Sequence, residues 1–145
     1  MRRDDMGIGE KKGSVEGFRA ARVGVDVVVL PRVKRSLERH GSAFLSRFLT
    51  PEEALYCRGP RMLERVAGRL AAKEAVMKVL GRGWPAVSWT DIAVLADSSD
   101  RPAATLSGKA RTFMDSLGLA AIDVSITHDG DLAIAVAIGV TGSAP

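Results

Sequence analysis

The stretch RLAAKEAVMK, residues 69–78, decides how this chain of 145 residues is interpreted. Its alanine, leucine, valine and methionine residues favour a helix, and the helical pattern runs from about Arg61 to Leu80 with Gly81 as a C-cap. Charged residues nevertheless interrupt the apolar positions: Arg69, Lys73, Glu74 and Lys78. They are either the solvated side of a surface helix or groups that the helix presents to a ligand.

The spacing of these charges leaves both interpretations open. Glu74 and Lys78 are four residues apart, as are Arg69 and Lys73, so each pair lies along one side of the helix. Glutamate four residues before lysine is also a common surface ion pair, which contributes only about 0.3–0.5 kcal/mol. The apolar residues supply core contacts on the opposite face. The charged side is therefore predicted to face water or a ligand.

The rest of the chain predicts an α+β fold. A β-branched run over residues 23–30 predicts a buried strand, and Pro31 suits the first turn of a basic helix. Thr50-Pro51-Glu52-Glu53 has the residues of a capping box and predicts a short helix that ends near Gly59. Further predicted elements are strands over 91–96 and 103–106, a helix over 109–117 capped by Ser107, and a closing hairpin over 122–127 and 132–138.

Composition narrows the class of protein. The chain is 46% hydrophobic and 26% charged, which is ordinary for one globular domain of this length. Its single cysteine, Cys57, excludes an intrachain disulfide and favours a reducing compartment. The longest apolar run, residues 132–138, is far shorter than the roughly 20 residues of a membrane span. We therefore expect a cytoplasmic protein without a membrane partner, with residues 1–22 as a flexible extension and 23–145 as the domain.

The charge balance predicts an anionic partner. Lysine and arginine number 21 against 17 aspartate and glutamate, which gives a net charge of +4. Nucleic acid, an acidic protein and a phosphorylated small molecule would all be attracted. A basic module that binds nucleic acid is disfavoured, because aromatic residues make up only 5% of the chain and are not interleaved with a basic strand as a stacking platform requires.

Two carboxylates and a histidine lie in unusual settings. Asp26 lies inside the β-branched run, where a buried carboxylate needs a partner, although an edge strand would let it reach water. His128 follows a predicted strand in a polar turn, where a histidine is often incidental. Asp26 and Glu74 would suit a magnesium ion bound to a pyrophosphate, since magnesium is commonly held by one or two carboxylates plus phosphates. The cations and donors around them would be Arg69, Lys73, Lys78 and His128.

At these residues the chain resembles the holo-acyl-carrier-protein synthases, which are small 4′-phosphopantetheinyl transferases. The resemblance is carried by Gly24-Val25-Asp26 followed by Arg32, by residues 67–75 with Lys78 and Gly81, and by Ser125-Ile126-Thr127-His128. It runs from about Val23 to Val140, and the A-A-K-E-A helix is its strongest part. Arg22 departs from the family's pattern, because a glycine usually stands at this position, two residues before Gly24 of the G-x-D. The fold implied is an antiparallel sheet packed against a long helix and shorter helices.

The resemblance also implies a reaction. Coenzyme A would donate its 4′-phosphopantetheine group to a serine of an apo acyl carrier protein, whose hydroxyl attacks the β-phosphate, and 3′,5′-ADP would leave. The product would serve fatty acid or polyketide synthesis. By match to the family's motifs, Asp26 and Glu74 would hold Mg²⁺ against the pyrophosphate. Lys78 would act beside the reacting phosphate, and Glu74, directly or through a water, is a candidate base.

Further contacts and partners follow from the same resemblance. Coenzyme A would be contacted by Arg69, Lys78, Gly81 and His128, while Arg32 would meet the acidic carrier protein. Family members of this size are homotrimers with active sites between subunits. One alternative is a magnesium-dependent coenzyme A or nucleotide hydrolase, with water as acceptor. Another is a catalytically silent relative, which the intact Asp26, Glu74 and Lys78 argue against.

Overall fold

The computed structural model describes residues 21–142, and its architecture is the predicted mixture of helices and antiparallel strands. The helices are α1 (Leu30–His40), α2 (Ser42–Phe48), α3 (Pro51–Cys57), α4 (Met62–Leu80) and α5 (Gly108–Ser116). The strands are β1 (Ala21–Val29), β2 (Ile92–Ala96), β3 (Pro102–Leu106), β4 (Leu119–Asp129) and β5 (Leu132–Thr141), with a short 3₁₀ helix at Trp89–Asp91. An antiparallel sheet has the order β1-β5-β4, and β2 and β3 form a separate hairpin. No helix in this part of the chain is long and apolar enough to cross a membrane.

Helix α4 is the central element of the fold. One hydrophobic cluster joins it to the three-stranded sheet and α5, and a second joins it to α1 and α3. Its alanines at 67, 71, 72 and 75 are fully buried, so neighbouring elements approach its backbone closely. Because α4 is covered on most sides, it lacks the single apolar stripe of a surface helix.

Two of the four charged residues in the stretch 69–78 of α4 are buried, which corrects the prediction that all four share a side facing water or ligand. Arg69 is 6% exposed and Lys73 is not exposed at all. The Lys73 ammonium donates to the carboxylate of Glu53 at 2.6 Å inside the protein. Lys73 was therefore wrongly grouped with the ligand-facing charges, because its partner comes from α3, twenty residues away.

The predicted elements are present with shifted ends. The capping box is confirmed, since the Thr50 side chain accepts from the Glu53 main chain and the Glu53 side chain accepts from the Thr50 main chain. His128 lies within β4 and not in the turn after it, because the ladder with β5 continues to Asp129. Ser107 precedes α5 but its side chain does not cap that helix. Residues 1–20 of the predicted extension lie outside the described residues, and residues 21 and 22 belong to β1.

Candidate active site

A close contact between β1 and α4 builds the site. A Cβ atom added at Gly24 would lie 1.9 Å from the main-chain oxygen of Ala75, so only glycine lets the strand lie this close to the helix. Side chains alternate along a strand, so Asp26 points to the same face as Gly24. The motif G-x-D thus sets the strand against α4 and places a carboxylate at the contact.

We expect Gly24→Ala to force β1 away from α4. Overpacking of this kind costs typically about 1–3 kcal/mol, and here the obstacle is backbone, which cannot rotate aside. Urea denaturation should show this loss in the free energy of unfolding. Gly142→Ala is the matched control, because its added methyl would lie at an ordinary 3.5 Å from Ala120. Equal stability of the two variants would contradict the contact.

Asp26 and Glu74 meet where β1 passes α4. The Asp26 side chain is 12% exposed, its Oδ1 accepts from the Lys78 Nζ at 3.2 Å, and its Oδ2 is buried with no hydrogen-bond partner among the described residues. The pKa of Glu74 is raised to about 7, mainly by burial of the carboxyl group. The contact with Asp26 and the negative charge of Asp26 add to this effect, while the positive charge of Lys78 opposes it. Two carboxylates held this way repel each other unless a proton or a cation lies between them.

This donor set fits a magnesium ion that is shared with a phosphate ligand. The unpartnered Asp26 Oδ2 and the carboxylate of Glu74 supply two oxygens. Within residues 21–142 no group of three or more histidine, cysteine, aspartate or glutamate side chains could hold a metal by themselves. Magnesium keeps several positions for waters and substrate phosphates, so two carboxylates are enough for it.

Lys78 adds a cation that a ligand can reach. Its Nζ donates to the main-chain oxygen of Val25 at 2.6 Å and to Asp26, and its side chain remains 54% exposed. An ammonium group has three donors, so one N–H remains for an incoming anion. The Nζ of Lys78 is therefore held in place by two acceptors and keeps one donor for a ligand.

Two cavities meet at Glu74 and Trp89, which line both of them. The larger has a volume of about 520 Å³, and its wall also includes Met77, Lys78, Gly81, Arg82 and Trp84. The smaller has a volume of about 270 Å³, and its wall includes Asp26, Arg32, Phe44, Phe48 and Leu70. A ligand that occupies the larger cavity therefore reaches the carboxylates, and a second ligand could approach them from the side of Arg32.

The structure brings Asp26, Glu74 and Lys78 together, but two other predicted site residues, Arg69 and His128, do not join this cluster. Arg69 instead donates to the main-chain oxygen of Val94 at 3.2 Å, and its guanidinium lies 4.3 Å from the centre of the Tyr56 ring. His128 Nε2 lies 2.9 Å from the main-chain oxygen of Glu64. Within the described part of one chain, neither Arg69 nor His128 lines either of the two cavities.

Sequence reasoning missed the aromatic wall of the site. Trp89 contributes to both cavities, Trp84 contributes to the larger, and the Trp89 ring meets Phe48 edge-on with ring centres 4.9 Å apart. The available signal was that both tryptophans of the chain lie in the short segment after α4.

Comparison with known proteins agrees with this geometry. The sequence model of the 4′-phosphopantetheinyl transferase superfamily matches residues 22–137. The chain is 42% identical over 116 residues to a holo-[acyl-carrier-protein] synthase of Gloeobacter violaceus, covering 79% of this chain and 88% of that relative. It is 43% identical over 117 residues to the synthase of Solidesulfovibrio magneticus, covering 80% and 94%.

Solved structures give the same result. The holo-[acyl-carrier-protein] synthase from Neisseria meningitidis superposes with a TM-score of 0.75 at 30% identity, covering 81% of this chain and 96% of that one. The Helicobacter pylori synthase in complex with coenzyme A superposes with a TM-score of 0.72 at 33% identity, covering 81% and 98%. Fold and site together define a small phosphopantetheinyl transferase. The chain belongs to the holo-[acyl-carrier-protein] synthase family of the 4′-phosphopantetheinyl transferase superfamily, as its sequence resemblance indicated.

Proposed function

We propose that this enzyme transfers the 4′-phosphopantetheine group of coenzyme A to a serine of an apo acyl carrier protein. The observation that carries this proposal is the cluster of Asp26, Glu74 and Lys78 at the edge of a cavity of about 520 Å³. Two carboxylates with an unpartnered buried oxygen suit a cation, and the adjoining lysine suits the phosphate that the cation would bind. The matched relatives carry the name of this reaction.

The transfer exchanges one phosphorus–oxygen bond for another. The serine Oγ forms a bond to the β-phosphorus of coenzyme A, the bond from that phosphorus to the bridging oxygen breaks, and 3′,5′-ADP leaves with that oxygen. The serine proton passes to Glu74, directly or through a water. Lys78, already held by Val25 and Asp26, places its remaining donor beside the phosphoryl oxygens that carry the charge.

Magnesium is the proposed cofactor, held by Asp26 and Glu74. When bound, the ion would neutralise the charge of the pyrophosphate and of the departing oxygen. The chain itself contributes the fixed separation of the two carboxylates, which the contact between Gly24 and Ala75 determines.

A homotrimer with sites between subunits is the proposed assembly. Valines 23, 25 and 27 of β1 are 68%, 52% and 50% exposed, and β5 adds Ile138 and Val136 at 46% and 37%. The strand register pairs Val25 with Val136 and Val23 with Ile138, so these side chains form one continuous apolar face. Exposed apolar patches of this kind mark protein interfaces. As the family resemblance implies, Arg69 and His128 of one subunit of such an assembly would contact coenzyme A bound at Gly81 of another.

Arg32 is the proposed contact for the carrier protein. It lines the smaller cavity beside Asp26, and it also borders a basic hollow of about 220 Å³ with Arg35, Arg39 and His40. An acidic carrier protein that docks here would bring its serine toward the carboxylates from the side opposite the larger cavity. Complementary charge of this kind steers association and fixes orientation.

We expect Arg32→Glu to raise the KM for carrier protein by at least about tenfold, which corresponds to about 1.4 kcal/mol of binding free energy. The KM for coenzyme A should stay unchanged, because Arg32 faces the smaller cavity. Lys109→Glu on α5 makes the same change in net charge far along the chain and is the matched control. An equal effect of both variants would show that only overall charge matters.

The proposed location is the cytoplasm, and the proposed pathway is fatty acid synthesis. The only cysteine, Cys57, is a buried free thiol, which suits a reducing compartment. The relatives named above are holo-[acyl-carrier-protein] synthases, and an acyl carrier protein would serve fatty acid or polyketide synthesis.

Intact mass spectrometry of apo carrier proteins tests the proposed function. The enzyme is incubated with a panel of apo carriers, coenzyme A and Mg²⁺, beside a sample with EDTA and one in which Mg²⁺ is restored. A phosphopantetheine adduct that EDTA abolishes and Mg²⁺ restores is expected. Cleavage of coenzyme A without an adduct would indicate a hydrolase instead. Native mass spectrometry of the same enzyme reports whether it is a trimer.

A further inference from the structure

Arg22 is a residue of β1, and its side chain lies beside the C-terminal end of α4, on the same face of the strand as Gly24 and Asp26. Its Nε donates to the main-chain oxygen of Val79 at 2.6 Å. Its Nη2 lies 3.2 Å from the point that a Cβ atom on Gly81 would occupy, so the guanidinium lies against this glycine. Gly81 is part of the wall of the larger cavity.

The guanidinium has donors to spare in this position. Arginine carries five N–H groups in a planar fork, and the bond to Val79 uses the one on Nε. Arg22 is exposed to solvent as a residue, and its terminal nitrogens are not used by the bond to Val79. A planar fork of this kind matches two oxygens of a phosphate at once.

The surroundings of Arg22 concentrate positive charge at one end of the larger cavity. Lys78 and Arg82 line that cavity on either side of Gly81. Glu74 lies five residues before Val79 on α4, which is more than one helical turn, and Asp26 is already paired with Lys78. Arg22 is not itself part of the cavity wall and approaches it only at Gly81, which has no side chain to separate the guanidinium from a ligand. An anion beside Gly81 would therefore meet Arg22 across the glycine, with Lys78 and Arg82 on the wall of the cavity.

Capping of α4 is the competing explanation for Arg22. The main-chain oxygens of the last helical turn lack partners within the helix, and an arginine that binds one of them stabilises the helix end. The bond to Val79 serves this role whether or not a ligand is present. Capping requires only one donor, however, and it does not require the guanidinium to lie over the glycine of the cavity wall.

We propose that Arg22 is a coenzyme-binding residue whose terminal N–H groups donate to phosphate oxygens of coenzyme A beside Gly81. The inference rests on the proposed function. It adds to that function a phosphate contact by Arg22, at a position where the family's pattern usually has a glycine. The phosphate is either the 3′-phosphate of the ribose or the pyrophosphate, and both present the same oxygens to the fork.

Calorimetric titration of coenzyme A and of 3′-dephospho-coenzyme A into wild type, Arg22→Gln and Arg22→Lys tests this inference without any carrier protein. Arg22→Gln is expected to weaken coenzyme A binding by about tenfold, in line with the loss of a charge-assisted hydrogen bond. Arg22→Lys should recover part of the affinity, because it keeps the charge and loses the fork. Arg101→Gln, at an exposed arginine in the turn between β2 and β3, is the matched control.

The two ligands identify the phosphate. If Arg22→Gln weakens coenzyme A alone, the contact is with the 3′-phosphate; if it weakens both ligands equally, the contact is with the pyrophosphate. Unchanged affinity for both ligands would overturn the inference, and a lower melting temperature in that variant would then assign Arg22 to capping alone. Wild type that binds no coenzyme A would contradict the proposed function itself, which separates the two failures.

Discussion

Asp26→Asn and Glu74→Gln are each expected to slow phosphopantetheine transfer by about 1,000-fold or more, which corresponds to about 4 kcal/mol of transition-state stabilisation at 1.36 kcal/mol per factor of ten. Each substitution removes one of the two carboxylates proposed to hold Mg²⁺ and keeps nearly the same shape. A metal ion contributes several kcal/mol of charge stabilisation in such reactions, so the loss of one ligand removes much of that amount. Single-turnover transfer, followed by the mass of the carrier protein, measures the effect.

Although Glu74→Gln should slow transfer, it should not lower the free energy of unfolding. The folded protein raises the pKa of Glu74 to about 7 from 4.5, so ionised Glu74 opposes folding as the pH rises through that interval. Glu74→Gln removes this charge, and its free energy of unfolding at pH 8 without Mg²⁺ should equal or exceed that of the wild type. Asp123→Asn, at an exposed carboxylate on β4, is the control for both measurements. A folded Glu74→Gln variant with normal transfer would rule out the metal assignment.

Local signals in the sequence were sufficient for most of the secondary structure. The capping box at Thr50 and the left-handed C-cap at Gly81 both depend on neighbours within a few residues, and both are present. The β-branched run that contains Asp26 forms a strand for the same reason. Asp100, by contrast, adopts a left-handed conformation in a turn without glycine, which composition does not reveal.

Burial of individual charges could not be predicted from spacing. Helical periodicity fixes which side of α4 a residue occupies, but α4 is covered on most sides, so the side alone does not separate core from surface. Glu53 was already explained by the capping box, which concealed that the same carboxylate meets Lys73. Asp26 was expected either at an edge or buried, and both hold: β1 is an edge of its described sheet, and α4 covers the face that carries Asp26.

The closeness of Asp26 and Glu74 could not be predicted from their positions in the sequence alone. These residues are 48 positions apart, and the resemblance to a family is what predicts that they converge. Gly24 explains it physically, because the close strand–helix contact depends on a missing side chain. The separation of Arg69 and His128 from this cluster is a property of the single chain, and the proposed assembly would supply those residues from a neighbour.

The Lys73–Glu53 pair connects the elements that carry the aromatic wall of the site. Lys73 Nζ donates to Glu53 Oε2 at 2.6 Å and to the main-chain oxygens of Phe48 at 2.6 Å and Trp89 at 3.1 Å, so all its donors are used. Glu53 also accepts from the main-chain nitrogen of Val94 at 2.6 Å. Burial lowers the pKa of Lys73, and the charge of Glu53 opposes that shift. The pair is thus stable only as a complete network, since each charge compensates the other.

Lys73→Met should therefore lower the free energy of unfolding by about 3–5 kcal/mol, because it leaves the Glu53 carboxylate buried without its counter-charge. Urea denaturation measures this loss, and Lys109→Met on the exposed side of α5 should cost far less. Adding Glu53→Gln to Lys73→Met should recover part of the stability, since the uncompensated charge is then gone and an amide oxygen still accepts a hydrogen bond. A cost below about 1 kcal/mol for Lys73→Met would contradict a buried ion pair. Because Phe48 and Trp89 lose a shared donor in this variant, the double variant should regain stability without regaining full transfer.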